Sequence, residues 1–575
     1  MPSFQAGKLS PHGCHTPLTV AKACGLICRL LKPEAGFVGT AVVYGIDVAL
    51  LGLAVPVSVQ LLINSVANTA LPAPLFVLSG LLLGLLLTAA LLSAARIYVL
   101  ALFERRVFAR TVADITLRAL HARNPHFDDA RRSDLFNRFF DLMTVQKAVP
   151  HLLVGGFAIL LQSGIGLVLT SFYHPFFLAF NLVVAAVLVV IALLWAGPAV
   201  RSGAALSHAK HETARWLESI GSSNGFYRHG GRLTTALARS EALTATYAKV
   251  HRRHFRHTFA QTIGFLLVYA VASAGLLAMG GWLILQGQLS LGQLVAAELV
   301  LSSAFYGISQ LGSHARTFYD LAAALHELSL FEGIEQVGGD GWNGPGPVDG
   351  NLRLRDVEHD GLRFDFAVES GEILAVAADE GVERTLAALI ERRVRPQHGW
   401  VMVGGADIAA FGAERLHSEI VVLDRPTLAE MTIREYLSAG NGTCPARIHE
   451  CLDRVGLADR IRRLLSGLDT TLSASSSPLS PGEAVALKLA AALLHPPKLV
   501  FLSALFDLLP PDRVAAALAG FRAVGTTVLH VTSRPLLPIH DDQIRLGPNG
   551  YGRSTEREAP LDKALPRERT HAVAA

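Results

Sequence analysis

The chain has 575 residues, of which 51% are hydrophobic and 17% charged, with a formal net charge of +4. Soluble domains usually carry about 25% charged residues, so this composition excludes a wholly soluble protein and requires lipid as the solvent for part of the chain. Five cysteines, Cys14, Cys24, Cys28, Cys444 and Cys451, form no CxxC pair and are odd in number, which excludes a disulfide framework and fits a reducing compartment.

Residues 1–35 read as a polar segment rather than a cleaved signal, because Lys8, Lys22, Arg29 and Lys32 precede an apolar stretch too long for a signal core. His12, Cys14 and His15 cluster there, but they fall short of the ligand set a structural zinc site needs, and no metal is expected. A membrane-crossing helix needs about 20 mostly apolar residues. Six such stretches lie near 36–65, 75–100, 150–172, 175–196, 259–285 and 290–312.

The connections between these stretches divide cleanly by charge. The one between the second and third carries Arg105, Arg106, Arg110, Arg118, Arg123, Arg131, Arg132, Arg138 and Lys147. The one between the fourth and fifth carries Arg201, Lys210, Arg215, Arg228, Arg232, Arg239, Lys249, Arg252, Arg253 and Arg256. The short connections "NSVANTALPAP", "SFYHP" and "LQGQLS" hold no Lys or Arg. Cytoplasmic loops collect positive charge, so both long loops and both termini are expected in the cytoplasm. Inside the stretches, Arg96 and Glu298 are the main charges; each either lines a cavity or, as expected for Arg96, snorkels to the surface.

Residues 336–350 contain "VGGDGWNGPGPVDG", a linker by composition. Beyond it, "EILAVAA", "KLVFLSAL" and "TTVLHVT" are short apolar runs of strand length, each followed by helical or loop sequence. Buried parallel strands read this way. The expected division is therefore a cytoplasmic segment 1–35, a six-helix transmembrane domain 36–335, a linker 336–350, an α/β domain 351–552 and a disordered tail 553–575.

Six spans, two long basic loops and a C-terminal α/β domain resemble an ABC exporter half-transporter, in particular its type I secretion branch. "LAVPVSVQLLINSV", "GGWLILQGQLSLGQLVAAELV" and "FYDLAAALHEL" look like that branch's end of span one, entry to span six and exit toward the linker. The resemblance implies a P-loop-type ATPase domain that pairs head to tail with a second, each ATP lying between the Walker loop of one and the signature of the other.

Motif by motif, the residues depart from that pattern. The phosphate loop G-x-x-x-x-G-K-[ST] should follow "EILAVAA". It reads Ala378, Asp379, Glu380, Gly381, Val382, Glu383, Arg384, Thr385, so only the final hydroxyl and an internal glycine remain. A carboxylate at Glu383 facing phosphate at ~4 Å and an effective dielectric of ~20 costs about 4 kcal/mol, roughly a thousandfold in affinity. Asp424 holds the Q-loop place, too short to copy glutamine's reach. Ser503 and Ala504 stand where the Walker B Asp-Glu should be, Asp507-Leu508-Leu509-Pro510 replaces the D-loop, and Ser533 replaces the switch histidine. "DVEHDGLRFDF" lacks the adenine-stacking tyrosine.

The signature position reads Leu479, Ser480, Pro481, Gly482, Glu483, followed by "AVALKLAAALLHPPKLVFL", the strongest match. Ser480 with Glu483 three residues on, and Pro481 between them, is equally an ordinary capped helix start. The resemblance thus implies a catalytically silent domain with no cofactor of its own. ATP and magnesium are expected only in a composite site with a partner. Two functions fit: the silent half of a heterodimeric exporter in a bacterial inner membrane, working with a periplasmic adaptor and an outer-membrane channel, or a non-hydrolysing structural, regulatory or channel-like subunit. No nucleic-acid partner is expected.

Overall fold

The computed structural model describes residues 18–553 except 53, 70–72, 128–132, 173, 289–290, 338–345, 380, 439–443 and 548–549. The His12, Cys14 and His15 cluster, most of the linker and the tail lie outside the described residues. The chain divides into two compact units, one comprising residues up to Leu120 and Pro125–Ile334, the other His121–Asn124 and the chain from Glu335 onward.

The first unit is helical. In order it has α1 (Val20–Leu31), α2 (Ala35–Gly52), α3 (Ala54–Thr69), α4 (Ala73–Leu120), α5 (Asp141–His151), α6 (Phe157–Ser171), α7 (Pro175–Gly221), α8 (Arg232–Leu285) and α9 (Leu291–Leu328). A π-helical segment, Leu152–Gly156, joins α5 to α6. Among the described residues, five stretches are long and apolar enough to cross a membrane: Val20–Val59, Leu75–Leu120, Leu135–Ser171, Pro175–Gly221 and Arg232–Leu285. The sixth expected span falls in α9, a 38-residue helix.

Helices α4, α7 and α8 run 48, 47 and 54 residues. At 1.5 Å per residue each is far longer than the ~30 Å of bilayer hydrocarbon. Their basic halves are continuous with their apolar halves.

Two kinds of contact hold the bundle together. Phe177, Leu276, Leu301, Phe305 and Ile308 are fully buried among one another. Beside them Gly166 brings α6 close to Val300, leaving an added Cβ only 3.1 Å from it, as small residues do between membrane helices. Buried Asn181 on α7 donates to the Leu167 carbonyl at 2.9 Å and to the Thr170 hydroxyl at 3.0 Å, satisfying its amide NH2 inside the bundle. Several buried charges are paired: Glu34 takes Arg106 at 2.9 Å and Arg110 at 3.0 Å, and Arg138 pairs with Glu327.

Arg96 corrects an expectation. It does not snorkel; it is 6% exposed, folded against α2 at Gly45. The missing side chain at Gly45 leaves room for the guanidinium, which stays within the bundle.

The second unit is α/β. Its strands are β1 (Leu352–His359), β2 (Leu362–Val368), β3 (Ile373–Ala378), β4 (His398–Val403), β5 (Ala406–Asp407), β6 (Ile420–Leu423), β7 (Leu499–Leu502), β8 (Thr527–Val531), β9 (Asp542–Gly547) and β10 (Gly550–Arg553). Its helices are α10 (Val382–Ile390), α11 (Ala413–Glu419), α12 (Ile433–Ser438), α13 (Pro445–Arg454), α14 (Ala458–Arg462), α15 (Pro481–Leu494) and α16 (Pro511–Ala523).

One sheet runs β2-β1-β4-β5, the other β10-β9-β3-β8-β7-β6. In the second, β3, β6, β7, β8 and β9 pair in parallel. β7 and β8 are buried at every residue, as strands covered on both faces must be. Asp360 and Gly361, at φ +48° and +77°, make the two-residue turn between β1 and β2, where a tight hairpin needs left-handed backbone.

The β1–β4 register shifts between Arg355 and Glu358. There Asp356 is left-handed at φ +50° and Gly399, opposite, at +77°. A Cβ on Gly399 would collide with the Asp356 backbone. Gly399→Ala is expected to cost about 2 kcal/mol or more, read as a lower thermal unfolding transition of the detergent-solubilised chain.

Candidate functional site

The residues singled out in the sequence as candidate site positions sit mostly at the C-terminal ends of the parallel strands, where open α/β sheets bind ligands. β3 ends at Ala378. The Asp379 N–H donates to the Leu546 carbonyl at 3.1 Å, and Val382 N–H to the Asp379 carbonyl at 3.2 Å. Gly381, at φ +87°, begins α10. The turn is therefore closed on itself. Thr385 donates both its N–H (3.3 Å) and its hydroxyl (3.2 Å) to the Gly381 carbonyl. Arg384 is exposed, and Glu380 lies outside the described residues.

Glu383 turns inward. Its Oε1 accepts the Ala504 N–H at 3.1 Å, linking α10 to the end of β7. Burial pushes its carboxyl above the usual range; the Ala504 bond works against that shift and Asp424 adds to it. Ser503 is 1% exposed; its N–H donates to the Leu423 carbonyl at 3.1 Å and its Oγ accepts the Leu505 N–H at 3.3 Å. Asp507 bridges to the end of β8, accepting the Thr532 hydroxyl at 2.7 Å and the Ser533 N–H at 3.0 Å. Arg534 closes the same corner through the Leu509 carbonyl at 2.7 Å.

Asp424, directly after β6, accepts from Arg393 Nη2 at 3.0 Å. Arg393 is 8% exposed and also lies 2.6 Å from Glu391. Burial lifts the Glu391 carboxyl to about 7, with Arg393 opposing that rise. Lys488 on α15 is lowered by burial, while Asp424 and Glu391 act to keep it charged. Asp424 thus serves as counter-charge in a buried cluster. Sequence reasoning missed Glu391, Arg393 and Lys488. The one available signal was the charged run Glu391-Arg392-Arg393 following the apolar helix.

The signature-like residues form a separate group. Ser480 caps α15 with a full capping box: the Glu483 N–H donates to Ser480 Oγ at 3.3 Å and the Ser480 N–H to Glu483 Oε2 at 2.8 Å. Pro481 is the first helical residue. Arg460 Nε donates to Glu483 Oε1 at 3.0 Å. Leu479 is buried, Ser480 and Pro481 are exposed, and a side chain at Gly482 would meet nothing within 4 Å. The helix-start reading of this motif is therefore realised in full. Ser480 and Glu483 bond to each other and to Arg460, not to the strand-end residues.

Residues 363–503 match the family model for ABC transporters. Over 91% of its length the chain superposes on 95% of a bacterial Atm1-family ABC exporter solved with ATP bound, with a TM-score of 0.74 and 18% identity. The chain has the fold of an ABC exporter. Among curated proteins it is similar to the leukotoxin translocation ATP-binding protein LktB of Mannheimia glucosida, 24% identical over 46% of this chain and 40% of that protein. It is likewise similar to the toxin RTX-I translocation ATP-binding protein of Actinobacillus pleuropneumoniae, 25% identical over the same shares. This ABC exporter-like chain spans 40% of the length of those relatives.

Two outcomes follow from the Asp424 cluster. Asp424→Gln, which removes the charge at this position, leaves Arg393 short of a buried partner. It is expected to lower stability by about 3 kcal/mol, measured by denaturant unfolding against wild type. The second outcome concerns pH. The Glu391 carboxyl holds its proton up to about 7 in the folded domain, against about 4.3 in an unfolded chain. The folded state binds more protons across that window, so this group's contribution to stability falls as pH rises from about 4.3 to about 7. Glu391→Gln is expected to flatten that part of the stability profile.

Proposed function

We propose that this chain is the silent half of a heterodimeric ABC exporter, held in a bacterial inner membrane with both termini in the cytoplasm. Its own nucleotide site does not hydrolyse ATP. The observation that carries this reading is that the groups at the strand ends are engaged inside the domain. Glu383 is bonded to Ala504, Asp424 to Arg393 and Asp507 to Ser533. No carboxylate at Ser503 or Ala504 is present to hold magnesium or polarise water.

In this reading the partner is a second ABC half-transporter with complete Walker motifs. Its ATP, with magnesium, lies against Ser480 and Gly482 of this chain, the exposed serine and an uncrowded helix start. The likeness to toxin-translocating ATP-binding proteins supports a type I secretion arrangement, with a periplasmic adaptor and an outer-membrane channel.

A second reading, a non-hydrolysing scaffold, regulator or channel-like subunit, is favoured by one observation. Ser480 Oγ and both oxygens of Glu483 are already engaged by the capping box and Arg460, and Pro481 has no N–H to offer a phosphate.

Mild-detergent purification of the chain from its native membrane, with mass-spectrometric identification of what accompanies it, separates these readings. The expected result is a stoichiometric ABC half with intact Gly-Lys-Thr, Asp-Glu and His motifs. ATPase activity is expected only in the pair, with Ser480→Ala lowering the pair's rate at least tenfold. Self-association alone, or company without such an ATPase, sinks the heterodimer.

A further inference from the structure

Arg96 is the charge in the membrane unit whose environment is least explained by its neighbours. It lies on α4, within the apolar stretch Leu75–Leu120, and is 6% exposed. Its Nε and Nη1 are buried and find no hydrogen-bond partner. A Cβ placed on Gly45 would meet Arg96 Nη1 at 3.4 Å and Phe157 Cδ1 at 3.6 Å. The guanidinium therefore sits in a notch on α2 with an aromatic edge alongside. Isolated charges in this setting are expensive and mark ligand or ion pathways.

Among the described residues, no carboxylate forms an ion pair with it. Asp47 is two residues from Gly45, about 200° around α2 at 3.6 residues per turn, and faces elsewhere. Glu104 is eight residues along α4, about 12 Å up the axis. Glu34 already holds Arg106 and Arg110. Glu298 accepts from Ser302 at 2.7 Å. It precedes by nine residues the level at which Gly307 of α9 meets Ile159 of α6, roughly 14 Å along the helix and away from Phe157. Among the described residues, the other titratable side chains at this level are cationic or neutral. His314 packs over Gly155 and Gly156, with Nδ1 unpartnered, and its ring lies 4.7 Å from that of His151.

The backbone beside the notch is also irregular. Phe157 follows directly on the π-helical segment Leu152–Gly156. Such wide turns in otherwise regular helices concentrate at functional sites. A fixed planar cation, an aromatic edge, a glycine notch and a widened turn together suit an anionic head carried on an apolar tail. Arg donates in a fork that matches carboxylate or phosphate, and the surrounding surface is apolar.

We propose that Arg96 is the anion-recognition point of a membrane-embedded site for an amphiphile with a carboxylate or phosphate head. Two sources share this chemistry, a bilayer phospholipid and a free single-chain anionic amphiphile of cargo type. The inference is independent of whether the soluble domain turns over ATP.

The test uses the full chain in a neutral maltoside detergent. Thermal unfolding is followed with sub-micellar dodecanoate, with its methyl ester as the neutral control, and separately with phosphatidylglycerol against phosphatidylcholine. For wild type, an anionic ligand is expected to raise the unfolding midpoint by several degrees over its neutral control. For Arg96→Met the shift is expected to vanish, with a midpoint in neutral detergent no lower than that of wild type. Arg96→Lys, which keeps the charge without the fork, is expected to retain part of the response. A response to phosphatidylglycerol alone assigns the site to a bilayer lipid; a response to dodecanoate, alone or as well, assigns it to a free amphiphile. An equal response in wild type and Arg96→Met overturns the proposal. So does the absence of any wild-type response to both anions, which holds even if the variants fail to fold.

Discussion

A chain that crosses lipid must satisfy its backbone polar groups within itself, and the membrane unit is built around that constraint. It explains why α4, α7 and α8 are unbroken over 47 to 54 residues. It also explains why side-chain polarity inside the bundle is met by close neighbours. Asn181 is held by a carbonyl and two hydroxyls of α6. Thr170 and Ser171 return their hydroxyls to carbonyls of their own helix. Pro198 lies inside α7 and Pro150 near the end of α5; each lacks the N–H that would bond to the carbonyl four residues before it. Among the buried polar atoms without a partner, which include Asn181 Oδ1 and His314 Nδ1, Arg96 contributes two, on a charged group.

The soluble unit has a different governing condition. Its central parallel strands β7 and β8 are buried on both faces, with apolar clusters around Phe364, Phe501 and Leu529 on one side and Leu487, Leu502 and Phe521 on the other. A sheet buried in this way leaves its strand ends as the place where polar groups can gather. In this chain those groups face one another. Glu383, Asp507 and Asp424 each accept a hydrogen bond from another part of the same domain, and the Ser503 N–H donates to the Leu423 carbonyl. The sheet is that of an ABC transporter domain, and its strand ends are bonded internally.

Much of this was readable in advance because it depends on local pattern. The apolar runs "EILAVAA", "KLVFLSAL" and "TTVLHVT" contain β3, β7 and β8. Ser480 and Glu483, three residues apart, form the capping box their spacing announces. The partners of the site residues were not readable. Arg393 lies 31 residues from Asp424, Glu383 lies 121 from Ala504, and Asp507 lies 26 from Ser533. No local signal fixes which distant side chain a carboxylate will meet. Arg96 failed for the same reason, because Gly45, which makes room for it, belongs to another helix.

The bond from Glu383 to Ala504 also bears on how such a domain changes over evolutionary time. Replacing Glu383 alone with glycine frees a buried N–H at the end of β7, yet supplies neither a lysine at position 384 nor a carboxylate at 503 or 504. Restoring glutamine at 424 removes the counter-charge of Arg393 before there is a magnesium ion for it to reach. Each of these two replacements loses an internal contact. The strand-end bonds thus tie positions 383 and 424 to their present side chains, because a change at either one must be compensated elsewhere in the domain.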